Sequence, residues 1–143
     1  MPIANEVDRL PEKSEHETQT KIVNLIRERD GVATRVNSGT AVFKRDGVTN
    51  VIRGADKGTS DVIALYKGVY LAIEVKHGKN VATPEQIEFL ESVARAGGVG
   101  LLAYDSEFVD MALVNIDYGG VEEVRGLSCG IWEPNRIFIR EVK

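Results

Sequence analysis

The chain has 143 residues, enough for one domain with one core that needs no disulfide or metal to hold it. Hydrophobic residues make up 43% and charged residues 28%, which excludes a disordered chain, and 6% aromatics exclude an aromatic stacking platform for single strands. A single cysteine, Cys129, excludes an internal disulfide framework and a Cys-cluster zinc site, and a net charge of −4 argues against a protein that coats nucleic acid.

Residues 1–13 are polar with two prolines and read as a loose arm. Ser14-Glu15-His16-Glu17 matches the capping box Ser-x-x-Glu, so a helix is expected from there to about Arg29, stopping at Asp30-Gly31. Short β-rich runs follow. Val32 to Val36 is one, and Thr40 to Lys44 with Val48 to Ile52 suggest a hairpin about Arg45-Asp46-Gly47. Ser60 to Tyr66 and Val69 to Lys76 are rich in Val, Ile, Leu and Tyr, as buried strands are, and Lys67-Gly68 separates them. Thr83-Pro84-Glu85-Gln86 is a second helix start, with Thr83 as N-cap, Pro84 at N1 and Gln86 completing a capping box. Ile87, Leu90, Val93 and Ala94 share a face of that helix, which Gly97-Gly98 ends. Because this glycine pair follows a helix instead of opening one, it is no phosphate loop. Val99 to Tyr104 is another buried strand. Beyond it, the pattern suggests a short helix from Ser106 to Leu113. A final hairpin of Gly130 to Trp132 with Arg136 to Val142, turned at Pro134-Asn135, would close the chain. The order points to an α/β or α+β fold with a mixed sheet. Cys129 is expected in the core or an interface, His16 at the surface.

No apolar run approaches the ~20 residues of a membrane span, and Met1 to Glu6 has neither a basic nor an apolar leader region. A cytoplasmic protein with no membrane partner is expected. Charge is unevenly spread. Residues 37–80 carry seven basic and four acidic side chains, and residues 105–143 carry eight acidic and four basic ones. A locally basic middle can attract phosphate, although on charge alone an ordinary solvated surface is the simpler explanation.

The turn at Lys67-Gly68 carries the chemical argument. A two-residue loop pairs Tyr66 with Val69 and sets Asp61 directly opposite Glu74; a three-residue loop would break that register. Opposed Cβ atoms lie roughly 4.5–5.5 Å apart on one face. Two carboxylates so placed repel unless neutralised, and a divalent cation with oxygen ligands is the simple neutraliser. Strand alternation puts Lys76 on the face of Glu74 and leaves Leu71, Ile73 and Val75 on the other. An edge hairpin with a Lys76 salt bridge is the plainer explanation, but the continuous apolar run from Val62 to Leu65 disfavours an edge. On the first helix Glu15, Gln19, Ile22 and Ile26 share a face, so the apolar stripe turns polar at its N-terminal end. Taken alone, Glu15 is explained by the helix dipole, and Glu17 by the dipole or the capping box.

Together these residues resemble a known family. Glu15-x-x-x-Gln19, Arg35-x-Asn37-Ser38-Gly39, Gly58-x-x-Asp61, Ile73-Glu74-Val75-Lys76 and a helical Gln86, in that order, are similar to the VRR-NUC (virus-type replication and repair) nuclease domain of the PD-(D/E)XK superfamily. The resemblance covers roughly residues 14–104, which it makes a nuclease core, with residues 105–143 as an extension packed on the same domain. It implies an α/β, restriction-endonuclease-like core of order αβββαβ, a mixed sheet flanked by helices. It also implies Mg²⁺ or Mn²⁺ bound by Asp61, Glu74 and the carbonyl of Val75, with Glu15 assisting. Lys76 would act on the attacking water and the phosphate charge. Gln86 would stand near the site, a role that conflicts with its place in the capping box. Ser60-Asp61 replaces the superfamily's Pro-Asp, and proline is no ligand. Arg35, Asn37, Ser38, Arg53, Lys57, His77 and Lys79 are candidate DNA contacts, each equally at home on a solvated surface. The implied protein is a metal-dependent DNA endonuclease, a homodimer acting on branched or flapped DNA in replication, recombination or repair. A sequence-specific restriction-type enzyme and a non-catalytic DNA-binding or assembly subunit are the alternatives.

Overall fold

The computed structural model describes residues 14–37 and 40–141, without the side chains of residues 40, 41, 43, 52 and 53. The arm expected over residues 1–13, Ser38 and Val142 lie outside the described residues. Helix α1 (Glu15–Glu28) starts where the Ser14 hydroxyl accepts the backbone N–H of Glu17 at 3.1 Å. Its buried side is Thr18, Ile22, Val23 and Ile26, a helical repeat that packs on the sheet and on a later helix. Strand β1 (Val32–Arg35) returns beside it. Strands β2 (Thr40–Arg45) and β3 (Val48–Arg53) then pair with each other alone, turned at Asp46-Gly47. Strands β4 (Val62–Tyr66) and β5 (Val69–Val75) form the central hairpin. Helix α2 (Pro84–Arg95) crosses over to β6 (Val99–Ala103), which runs parallel to β5, as a crossover of that length requires.

Helices α3 (Ser106–Gly119) and α4 (Val121–Ser128) precede the last strand, β7 (Arg136–Ile139). The main sheet has five strands in the order β1-β4-β5-β6-β7, parallel only between β5 and β6. The fold is α/β with a mixed sheet flanked by helices. Helices α1 and α3 cover one face, where Ile22, Ile26, Leu71, Ile73, Val75 and Leu113 are buried together. Helix α2 covers the other, over Ala72, Leu90, Val93, Leu102 and Phe138. No helix among the described residues is long and apolar enough to cross a membrane.

The C-terminal third departs from the sequence expectation. Helix α3 runs to Gly119, not Leu113, because Ile116 is buried against the core and Asp117 accepts bonds from Tyr66, Lys67 and Arg29. Helix α4 was not expected: Gly119-Gly120 and Gly126 mask it, and Val124 alone is its buried anchor. The expected final hairpin does not form. Trp132 instead donates its indole N–H to the Leu127 carbonyl at 2.7 Å, folding residues 130–132 back onto α4, and β7 pairs with β6. Cys129 is exposed at the end of α4, not in the core.

Candidate active site

The β4–β5 turn has two residues. Tyr66 pairs with Val69 and the ladder runs out to Val62 opposite Ile73, one residue short of Asp61 and Glu74, which lie near enough for the charge of Asp61 to act on Glu74. Lys67 and Gly68 take φ of +46° and +79°, the two positive values of a type I′ turn, whose twist matches that of the strands. β4 lies between β1 and β5, which removes the edge-hairpin explanation. The charged residues therefore stand on an interior strand, on the α2 side of the sheet.

Glu74 is 1% exposed, and its Oε2 has no hydrogen-bond partner. Its Oε1 lies 3.5 Å from Nζ of Lys76, itself mostly shielded. Burial first, and then the charge of Asp61, push the Glu74 carboxyl up to about 8, against the pull of Lys76. Asp61 is also raised, chiefly by burial and further by Glu15. Opposing this are the Val75 amide, which donates to Oδ2 at 2.9 Å, and Lys76. That amide bond extends the ladder by one rung through a side chain. A strand residue turns its N–H and C=O toward the same neighbour, so the Val75 carbonyl faces the Asp61 side too.

Two supports were not legible in the sequence. Asn80, in the loop after β5, donates to Glu15 Oε1 at 3.0 Å, and the Tyr104 hydroxyl donates to the Asn80 carbonyl at 2.6 Å. Together they tie the start of α1 to the end of β6 beside the carboxylates. No local pattern marks an asparagine for such a bond between distant segments. Gly58, three residues before Asp61, was part of the motif but had no assigned role. At φ +91° a Cβ would lie 2.5 Å from the Glu85 carbonyl oxygen, so only glycine lets this loop rest on the first turn of α2. Ser60 is fully buried with an unpartnered hydroxyl.

The remaining candidates divide. The Gln86 side chain accepts from the Thr83 amide at 2.8 Å while the Gln86 amide donates to the Thr83 hydroxyl, so its carboxamide oxygen serves the capping box. Arg35 bonds the His16 carbonyl and the Thr20 hydroxyl on α1. Lys57 pairs with Glu85 at 3.6 Å across solvent. Asn37 and Lys79 are exposed and His77 is half-buried. Ser38 and the side chain of Arg53 lie outside the description.

No family model matches the chain, and no curated protein matches it. A divalent cation can therefore be weighed only on the donors present. Among the described residues no cluster of three or more His, Cys, Asp or Glu is placed to hold a metal. A hard cation such as Mg²⁺ asks for less, since it binds through one or two carboxylates and keeps several waters. The partnerless Glu74 oxygen opposite a second carboxylate, with a carbonyl turned the same way, fits that demand.

Proposed function

We propose that this chain is a metal-dependent DNA endonuclease with a restriction-endonuclease-like core of the VRR-NUC type. The observation that carries the reading is the buried Glu74 carboxyl beside Asp61, with one oxygen unpartnered and the other 3.5 Å from Lys76. Burying Glu74 on an interior strand beside the half-buried Asp61 is costly unless a cation or a reaction uses the pair. Asp61, Glu74 and the Val75 carbonyl would hold Mg²⁺ or Mn²⁺, which when bound supplies Lewis acidity and a more acidic water.

The chain's own residues do the rest. The Val75 amide fixes the direction of Asp61. Lys76, three or four ångströms from Glu74 by its 3.5 Å contact, keeps a fixed positive charge where a phosphoryl oxygen gains negative charge. Glu15, held by Asn80, adds a carboxylate at the rim that can orient a water. The basic residues from 37 to 80 would draw the phosphate backbone to this acidic pair. This reading takes the active form to be a homodimer acting on junctions or flaps. Cleavage of labelled linear duplex, single strand, flap and four-way junction, with Mg²⁺, Mn²⁺ or EDTA, tests the proposal. Metal-dependent cutting that Asp61→Asn abolishes is expected. Intact DNA with every substrate and metal would leave only a binding role.

A further inference from the structure

The β2–β3 hairpin is bonded within itself and to little else. Its two strands form a separate two-stranded sheet, paired from Thr40 opposite Arg53 to Arg45 opposite Val48. Such a ribbon alone in water is marginal. Val42, Val48 and Val51 are 64%, 61% and 55% exposed. Lys44 and Arg45 are exposed beside them, and Asp46 at the turn is the only acid from residue 40 to 53, against three basic residues. This is a cationic, partly apolar arm on a chain of net charge −4.

Its roots lie at the carboxylate pair. The amide of Val36, leading into the arm, donates to the Asp61 carbonyl at 2.9 Å, and the amide of Ala55, leading out, donates to the Asn37 carbonyl at 2.9 Å. The bond at Val36 joins the base of the arm to the backbone of Asp61. We propose that the β2–β3 ribbon enters the major groove of duplex DNA and holds it against the site. This rests on the hydrolase reading for what happens to the duplex once held. Six-residue strands span roughly 17 Å, or about five base-pair steps. A major groove about 12 Å wide admits a two-stranded ribbon. Lys44 and Arg45 meet phosphates at the groove walls, and the valine methyls suit its apolar thymine edge. A second copy of the chain is a poorer occupant, because two such arms would bring together segments that each carry three basic residues against one acidic.

The test measures anisotropy of a labelled linear duplex in EDTA over a salt series. The proteins are the wild type, the double variant Lys44→Ala/Arg45→Ala, and a chain with residues 40–53 replaced by a short Gly-Ser linker. The double variant is expected to bind about tenfold more weakly, with a salt slope smaller by about two, and the linker variant to lose more. Both should keep the wild-type melting temperature. Unchanged affinity and slope in the linker variant overturn the proposal. So does a loss of dimer in sedimentation with affinity unchanged, which would assign the ribbon to a second copy. A wild type that binds through the ribbon but cuts no DNA with Mn²⁺ upholds the ribbon and overturns the hydrolase reading.

Discussion

Replacing Glu74 by glutamine isolates the charge at the centre of the site while keeping its shape. In the wild type without metal, the folded Glu74 carboxyl titrates at about 8 against an ordinary value of 4.5. Below about pH 4.5 both folded and unfolded chains carry the proton, and above about pH 8 neither does. Between them the folded chain holds one more proton, so its stability falls as pH rises, by about 1.4 kcal/mol per unit and a few kcal/mol over the window. Glu74→Gln cannot ionise and should lose that fall. The assay is urea unfolding of both proteins in EDTA from pH 5 to 9, read as the difference between them, so that other groups cancel. The same proton competes with a cation, because a ligand carboxylate must be ionised. Wild-type Mn²⁺ affinity should therefore rise about tenfold per pH unit below pH 8 and level off above it, about 25-fold in all from pH 6.5 to 8.5. Calorimetry in buffers of different ionisation enthalpy should find close to one proton released at pH 6.5. A difference curve flat with pH, or Mn²⁺ affinity independent of pH, would refute the buried-acid argument.

Other substitutions separate the roles. Above about pH 8, where Glu74 is ionised as well, Asp61→Asn should leave the metal-free protein at least as stable, because the amide oxygen still accepts from Val75 while the repulsion with Glu74 is gone. Mn²⁺ should raise the melting temperature of the wild type and much less that of this variant; a clearly destabilised apo variant would count against the opposed pair. Lys76→Ala should lose cleavage by orders of magnitude yet still bind Mn²⁺, and calorimetry showing metal binding lost with it would remove its assigned role. Gly58→Ala should cost on the order of 1–3 kcal/mol, from a strained φ and a clash with the Glu85 carbonyl; an unchanged melting temperature would show that the loop can move off α2.

The register of the β4–β5 hairpin was legible because it is local. A two-residue turn sets the register of a whole hairpin, and alternation then assigns every side chain to a face. Both helix starts were legible for the same reason, since Ser14 and Thr83 cap residues three positions away. The mixed sheet followed from the order of elements and the crossover through α2. What the chain hid was decided at a distance. The burial that drives Glu74 upward comes from packing between sheet and α2, and a strand written as Ile-Glu-Val-Lys does not announce it. Asn80 reaches Glu15 across 65 positions, so no local spacing could single it out. Helix α3 outruns its expected end because Asp117 finds Tyr66 and Lys67 on the central hairpin. The turn at Pro134 forms, but residues 130–132 do not pair with β7 as a strand, because the Leu127 carbonyl takes the indole of Trp132. Contacts within a few residues are set by chain geometry and read directly, whereas those between distant segments depend on which surfaces pack together.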